Sequence, residues 1–264
     1  MPGRFAQAAV QGAVVETGGK RGAGTARNGT RRSCRGIIQR AGIPRDEIGM
    51  KRATWKSVDR LAHAERLCRG ARVLDIGGRR MPASDPASRF ARVYDRLRQA
   101  ATEYRIVDIQ DTEGVDYVLD LNQPPAVGEL AELISACRPD VILCMETLEH
   151  VNCHYEVMNV LADAVEANGT VVFITLPNNR NWVLNAMGWN EDHCVAFFRD
   201  IADRFVSRSG LGRHAIERHA CMQKYLWYWW VVYALAFGQP LSWGFTIRPR
   251  ATASAGTQAP GEQR

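Results

Sequence analysis

The segment 140–151, DVILCMETLEHV, holds the side chains best suited to chemistry in this chain. An apolar run, predicted to be a buried strand, leads directly into Glu146, Glu149 and His150. If a helix begins at Glu146, these side chains share one helical face, because they stand at positions i, i+3 and i+4. Two carboxylates and an imidazole can bind a metal ion, transfer a proton or stabilise the start of a helix. The residue types alone leave these three roles open.

Three aspartates stand where other predicted strands end. Asp75 precedes Gly77 and Gly78 in VLDIGG, Asp108 lies near the end of EYRIVDI, and Asp120 lies near the end of VDYVLDL. Glycines at a strand-to-helix turn let the backbone approach a ligand closely, and a carboxylate ending the second strand can accept hydrogen bonds from ribose hydroxyls. The acidic edge and the lack of a G-x-x-x-x-G-K-[ST] sequence argue against a ligand rich in phosphate.

Strand and helix patterns alternate along the chain, which favours a parallel sheet covered on both faces. The predicted strands are 71–78, 103–109, 115–121, 140–145, 170–177, 214–222 and 242–248. The predicted helices are 53–69, 86–102, 126–137, 153–166 and 196–208, besides the turn that begins at Glu146. We therefore expect a single α/β domain over residues 51–250, doubly wound around a mainly parallel, seven-stranded sheet.

The positive charge of the chain is confined to its N-terminal part. Residues 1–60 hold 13 Lys/Arg against four Asp/Glu, whereas the rest holds 21 against 24. A near-neutral domain gives no general argument for nucleic-acid binding. We expect the basic tail 1–50 and the tail 251–264 to be disordered. The basic tail is either an organelle transit peptide or a stretch that precedes a true start at Met50.

The cysteines indicate the redox compartment of the protein, and one aromatic run indicates a buried helix or a contact surface. The seven cysteines are odd in number and form no C-x-x-C pair, which predicts a reducing compartment and a cytoplasmic protein. The run YLWYWWVVYALAFG, 225–238, is apolar on every side but too short to span a bilayer as a helix. It is typical of a buried helix, a lid over an apolar substrate, an oligomer contact or a peripheral membrane contact.

Together these motifs resemble those of the class I S-adenosylmethionine-dependent methyltransferases, over roughly residues 53–250. VLDIGG is similar to their glycine motif, and DVILCMETLEHV to their fourth-strand motif. The resemblance implies a Rossmann-like fold with S-adenosyl-L-methionine as cofactor. It assigns Asp75, Gly77 and Gly78 to the methionine side, Asp108 to the ribose, Asp120 and Leu121 to the adenine, and the Cys144 backbone to the cofactor wall. The chain departs from the family where Arg79 and Arg80 follow Gly78.

A narrower resemblance links E-x-x-E-H to the small-RNA 2′-O-methyltransferases and the ubiquinone-pathway O-methyltransferases, where that motif holds a divalent metal. The former add a D-H pair after the fifth strand, matched here by Asp192 and His193. This resemblance implies that Mg, Mn, Fe or Zn is bound by Glu146, Glu149, His150 and His193. Without a metal, His150 or His193 is the candidate general base.

These observations predict an enzyme that transfers a methyl group from S-adenosylmethionine to an oxygen atom. The predicted acceptor is a small molecule, a glycan or a lipid-linked molecule, whereas a nucleic acid is disfavoured. Three alternatives stay open: a non-catalytic S-adenosylmethionine-binding module, a membrane-associated protein that uses 225–238, and an RNA 2′-O-methyltransferase. The sequence does not predict the oligomeric state.

Overall fold

The computed structural model describes residues 54–78, 95–180, 194–222 and 240–250, which all belong to one compact unit, Arg52–Arg264. The strands in these ranges are β1 Trp55–Asp59, β2 Arg72–Ile76, β3 Glu103–Asp108, β4 Tyr117–Val118, β5 Val141–Met145, β6 Val171–Pro177, β7 Ala215–Met222 and β8 Ser242–Arg248. The helices are α1 Arg60–Cys68, α2 over residues 95–100, α3 Pro124–Cys137, α4 His154–Asn168 and α5 Arg199–Arg208. Short 3₁₀ turns cover Leu148–His150 and Gly210–Arg213.

The described strands form one sheet in the order β1-β7-β8-β6-β5-β2-β3-β4. All neighbours are parallel except β8, which runs antiparallel to both β6 and β7. From β2 the chain moves outward through β3 and β4, then returns to the other side of β2 to form β5. This reversal makes the gap between β2 and β5 a topological switch point, and open α/β sheets bind ligands at the carboxyl ends of strands there.

Apolar side chains cover both faces of the sheet, which confirms the predicted doubly wound class. Leu74 packs in one buried cluster with Leu130 of α3 and Leu161 of α4. Its neighbour Val73 packs in the other buried cluster, with Leu97 of α2. Successive residues of a strand point to opposite faces, so one strand supplies both clusters. The carboxyl ends of the strands, between the two layers of helices, are therefore where the candidate site is expected.

The predicted helix 53–69 is wrong in its first half, because Trp55–Asp59 forms strand β1. This strand pairs in parallel with β7 over its whole length and gives the described sheet eight strands instead of the predicted seven. The ring of Trp55 lies edge-on to that of Trp243 on β8, with centroids 5.1 Å apart. Packing against distant strands therefore overrides the helical spacing of this segment.

Helix α1 is fixed to the sheet by a buried polar cluster. His63 Nε2 and His219 Nε2 each lie 2.9 Å from the Thr246 hydroxyl, and Arg66 Nη2 lies 2.9 Å from His63 Nδ1. Burial lowers the pKa of His63 to about 4, with a smaller contribution from His219 in the same direction. The imidazole is therefore neutral at neutral pH, and the cluster joins α1, β7 and β8 without a buried net charge.

Two other predictions are corrected in extent or fall outside the described ranges. The predicted strand 115–121 pairs only through Tyr117–Val118. The predicted helix 86–102 is described over residues 95–102, of which 95–100 are helical. The predictions for both tails and for the aromatic run concern residues outside the described ranges. In the ranges that are described, no helix is long and apolar enough to cross a membrane.

Candidate functional site

At the switch point, β2 ends in a glycine turn that packs directly against the residue Thr147, just after β5. Gly77 has a φ of 78°, and its N–H donates to the Val107 carbonyl of β3 at 2.7 Å. A Cβ atom at Gly77 would overlap the Thr147 side chain, which follows β5. The Thr147 hydroxyl in turn donates to the Ile76 carbonyl at 3.0 Å. Glycine is thus required both by the backbone conformation and by the space.

Asp75 lies beneath this turn as a fully buried carboxylate. It is 1% exposed, and the Tyr104 hydroxyl of β3 donates to its Oδ2 atom at 2.5 Å. A Cβ atom at Gly78 would overlap the same Oδ2 atom. Burial raises the pKa of Asp75 to about 7, and Asp108 adds to the rise, whereas the hydrogen bond from Tyr104 opposes it. Burial therefore favours the neutral form of this carboxyl, and the hydrogen bond from Tyr104 favours its charged form.

Asp108 is the last residue of β3, as predicted, whereas Asp120 lies in the loop just after the shortened strand β4. Asp108 is half-buried, and its Oδ1 atom accepts a hydrogen bond from the Gln110 N–H at 3.0 Å. The Oδ1 atom of Asp120 accepts from both the N–H and the side-chain amide of Asn122, each at 3.1 Å. Asn122 Oδ1 accepts from the Asn152 N–H at 2.8 Å, which connects this loop to the chain after β5. Asp120 is thus held in a local turn at the same edge.

Leu121 and Cys144 are buried in the core rather than open to the edge. Leu121 is 6% exposed and belongs to the apolar cluster under α3 and α4. Cys144 is 0% exposed and pairs in register with Ile76 of β2. Burial raises the pKa of the Cys144 thiol, and the nearby Glu149 and Asp75 carboxyls add to that rise. At these two positions only the backbone is available to a ligand at the edge.

The predicted helix starting at Glu146 is wrong. Glu146 has a left-handed φ of 55°, and its N–H donates to the Thr175 carbonyl of β6 at 3.1 Å. The chain then makes one 3₁₀ turn, Leu148–His150, before α4 begins at His154. Because the strand ends in a sharp turn, Glu149 is 0% exposed while His150 is exposed. The three side chains therefore do not share one helical face.

Glu146 is held by partners on two other elements. Its Oε1 atom accepts a hydrogen bond from the Thr175 hydroxyl at 2.8 Å and lies 3.1 Å from Arg60 Nη1 of α1. The Arg60 side chain is mostly buried, with 14% of its surface exposed. A cation at this distance in a partly buried setting compensates the charge of the carboxylate.

Glu149 is the opposite case, a buried carboxyl whose two oxygens lack a hydrogen-bond partner among the described residues. Burial raises the pKa of Glu149 well above its usual range, and the charge of Glu146 raises it further. The backbone N–H of Glu149 itself, which lies too far or at too poor an angle for a full hydrogen bond, acts against this rise, and Arg60 does so to a smaller extent. The backbone carbonyl of Glu149 accepts a hydrogen bond from the Cys194 N–H at 2.7 Å. An unpartnered buried carboxyl of this kind calls for a proton or a cation.

The described residues do not by themselves assemble the predicted metal site. Among them no group of three or more His, Cys, Asp or Glu side chains is close enough to hold an ion. Glu146 already contacts Arg60, and His150 is exposed whereas Glu149 is buried. His193 lies outside the described residues, so the four-ligand set stays a prediction.

Four side chains of this edge were not predicted from the sequence: Arg60, Tyr104, Thr147 and Thr175. A hydroxyl in the apolar strand EYRIVDI was the available signal for Tyr104, since a buried phenol needs a partner. Arg60 had no such signal, because its helix was expected to begin several residues earlier.

Comparisons with known proteins give structural similarity only. No family model matches the chain, and no curated protein matches it. A proposed methyltransferase of Haloferax volcanii, solved with the Trm112 methyltransferase activator, is 11% identical, with a TM-score of 0.45, and the match covers 72% of this chain and 89% of that one. The small-RNA methyltransferase HEN1 is 14% identical, with a TM-score of 0.43, over 73% of this chain and 25% of HEN1.

The N-methyltransferase NodS of Bradyrhizobium japonicum WM9, solved with S-adenosyl-l-homocysteine, is 12% identical, with a TM-score of 0.39. That match covers 73% of this chain and 86% of NodS. Because all these identities and TM-scores are low, the fold class rests on the strand order and register of the sheet itself. That sheet is an open, doubly wound α/β sheet whose switch point carries a glycine turn and a row of carboxylates.

Proposed function

We propose that this protein is an S-adenosylmethionine-dependent methyltransferase. The observation that carries the proposal is the Gly77–Gly78 turn at the switch point, with Asp75 beneath it and Asp108 at the end of the next strand. A turn in which any Cβ atom would overlap its neighbours brings backbone, rather than side chains, to the ligand. Switch points of open α/β sheets are where nucleoside-type ligands bind.

The charges at this edge suit such a cofactor. S-adenosylmethionine carries a positive sulfonium, a positive amino group and a ribose with two hydroxyls. Asp75, 1% exposed beneath the Gly78 backbone, offers a negative charge that attracts the amino group through the turn, and Asp108 offers a half-buried carboxylate for the ribose hydroxyls. Asp120, held by Asn122, borders the adenine side. When bound, the cofactor supplies an electrophilic methyl group, and the residues of this chain orient it.

The acceptor side of the proposed site lies at the ends of β5 and β6. Glu146 and His150 line the turn after β5, and Thr175 of β6 donates to Glu146. His150 is exposed and is the candidate general base for a hydroxyl acceptor. Alignment of that oxygen with the sulfonium carries much of the rate in an in-line displacement. We propose O-methylation of a small-molecule, glycan or lipid-linked acceptor.

Binding of S-adenosylhomocysteine, measured by isothermal titration calorimetry, tests the cofactor. The Asp108→Ala variant should lose on the order of ten-fold or more in affinity, because a charge-assisted hydrogen bond to the ribose is removed. The matched control is Glu113→Ala, an exposed acid in the following loop, which should bind like the wild type. No binding by the wild-type protein would overturn the proposal.

Transfer of a labelled methyl group to a panel of phenols, glycans, lipid-linked sugars and RNA tests the reaction. Transfer to one hydroxyl class supports O-methylation and names the acceptor. Cofactor binding without transfer to any of these classes would favour a non-catalytic binding module instead. The His150→Gln variant should lower turnover without weakening cofactor binding, since His150 is assigned to the acceptor side.

Metal assistance at the same edge is a second proposal, and the unpartnered Glu149 carboxyl supports it. Glu149, Glu146, His150 and His193 would hold a divalent ion, which would lower the pKa of an acceptor hydroxyl. Addition of Mn²⁺, Mg²⁺ or Zn²⁺ to chelator-treated protein should raise its melting temperature, and Glu149→Gln should abolish that rise. Equal shifts in wild type and variant would contradict this ligand set.

A further inference from the structure

We propose that Tyr104 sets the pH range over which this protein binds its cofactor, by donating a hydrogen bond to Asp75 and keeping that carboxyl ionised beneath the glycine turn. The inference rests on the proposed function, because it takes the positive amino group of S-adenosylmethionine as the partner of Asp75. Tyr104 acts through Asp75 and is therefore a positioning residue.

The register of β2 and β3 fixes this contact. Tyr104 stands beside Val73 and Ile106 beside Asp75, so the phenol reaches along the strand toward the carboxyl. The Oη–Oδ2 distance is 2.5 Å, within the range of hydrogen bonds from a hydroxyl to a carboxylate. Both side chains are buried, with 8% of Tyr104 and 1% of Asp75 exposed. Water therefore cannot replace the phenol without rearrangement of the core.

Among the described groups that face Asp75, Tyr104 is the one that favours the charged form of the Asp75 carboxyl. Asp108 of β3 carries a like charge and disfavours ionisation. Cys68 of α1 and Cys144 of β5 also lie close, and burial raises the pKa of both thiols, that of Cys68 to about 12. Both thiols are therefore neutral at physiological pH. With the pKa of Asp75 already near about 7, loss of the Tyr104 hydrogen bond would leave the carboxyl largely protonated at neutral pH.

A protonated Asp75 attracts an ammonium group above the glycine turn far less than a charged one does, so affinity follows its titration. In the wild-type protein, affinity should rise as pH increases through about 7, where the carboxyl loses its proton. Tyr104→Phe keeps the buried ring but removes the donor, which moves that rise to higher pH. We expect roughly ten-fold weaker binding at neutral pH and recovery of most of the loss in alkaline buffer.

The test is the pH dependence of S-adenosylhomocysteine affinity, measured by calorimetry from about pH 6 to about pH 8.5. Each variant is compared with the wild type at the same pH, so that the titration of the ligand's own amino group cancels. The matched control is Tyr117→Phe, because Tyr117 bonds Arg105 on the far side of β3 and does not touch Asp75. Asp75→Asn should bind weakly with little dependence on pH. Circular dichroism of each variant checks that the fold is kept.

The outcomes separate the inference from the proposed function. A Tyr104→Phe profile shifted to higher pH supports the inference, whereas a profile that matches the wild type overturns it. Weak binding of the variant at every pH also overturns it, because the loss is then structural. If Tyr104→Phe does not fold, site-specific replacement of Tyr104 by 3-fluorotyrosine, a stronger donor, should shift the profile to lower pH. No shift overturns the inference. Wild-type protein that binds at no pH instead contradicts the proposed function.

Discussion

Two buried carboxyls at one edge of the sheet, those of Asp75 and Glu149, differ in the hydrogen-bond partners that the described residues give them. Asp75 receives a hydrogen bond from Tyr104, whereas both oxygens of Glu149 lack a partner among the described residues. Both contribute to the raised pKa of the Cys144 thiol between them. Among the described residues, the side of β2 and β3 is thus organised, because its buried carboxyl has a side-chain partner, while the side of β5 and β6 is incomplete at Glu149. The difference separates a carboxyl whose charged form is stabilised by a phenol from one that calls for a proton or a cation.

The largest effect is expected from Gly78→Ala on the organised side. The added methyl group would overlap Asp75 Oδ2 and displace a carboxyl that is held by Tyr104. We expect a loss of about 1–3 kcal/mol in the free energy of unfolding and roughly 100-fold in S-adenosylhomocysteine affinity. Urea unfolding and calorimetry measure the two effects.

The control for this substitution is Gly128→Ala in helix α3, where a Cβ atom would meet nothing within 4 Å. It should stabilise the protein by about 0.5–1 kcal/mol, because alanine loses less backbone entropy on folding. Gly78→Ala protein that binds as well as the Gly128→Ala variant would show that the turn does not approach the ligand.

The second effect tests the incomplete side. The pKa of Glu149 is raised in the folded protein, so its contribution to stability is full below its unfolded value of about 4.5 and is lost as pH rises through the folded value. Glu149→Gln removes the ionisable proton and should stabilise metal-free protein by about 2 kcal/mol in mildly alkaline buffer. The gain should vanish near the unfolded value. A destabilised variant in alkaline buffer would mean that the charge of Glu149 is compensated after all.

A third, smaller effect concerns the cation beside Glu146. Arg60→Met should lower the free energy of unfolding by about 1 kcal/mol, since it removes the partner of a partly buried carboxylate. The double variant with Glu146→Gln should recover most of that loss. A double-mutant cycle in urea measures the coupling, and additive losses would mean that Arg60 stabilises its surroundings without acting on Glu146.

The smallest effect is expected at the opposite end of the same strands. Arg72, at the start of β2, pairs with Asp140 before β5 at 2.9 Å, but the two side chains are 47% and 49% exposed. Asp140→Asn should leave both the urea midpoint and cofactor affinity unchanged within error, because exposed ion pairs are screened by water and salt. A marked loss of affinity there would contradict the assignment of the ligand to the carboxyl edge.

Much of the fold could be predicted because its central strands are apolar runs ended by glycine, aspartate or proline. Residues 71–78 and 170–177 are examples, and the structure confirms both strands with small changes at their ends. Strand β1 was missed because its partner β7 lies about 160 residues later, and a single-sequence pattern carries no information on that pairing. The turn at Glu146 was missed because the E-x-x-E-H spacing also fits a regular helix.

Site residues could be predicted where the strand order alone places them at the edge. They could not be predicted where a side-chain contact depends on the register between neighbouring elements. Asp75 and Asp108 reach the edge because parallel strands end together. The bond from Tyr104 to Asp75 depends on the offset between β2 and β3, and the bond from Arg60 to Glu146 depends on where α1 begins. The local pattern of residue types predicts neither the offset between β2 and β3 nor the residue at which α1 begins.

The left-handed backbone of Glu146 has an evolutionary consequence. A residue other than glycine loses about 1 kcal/mol in this conformation, so glycine at position 146 would relieve the chain. The same replacement would remove the carboxylate that compensates the mostly buried Arg60, so a laboratory selection for heat resistance is expected to gain little at this position. Relief of the backbone and compensation of the Arg60 charge oppose each other at this single position.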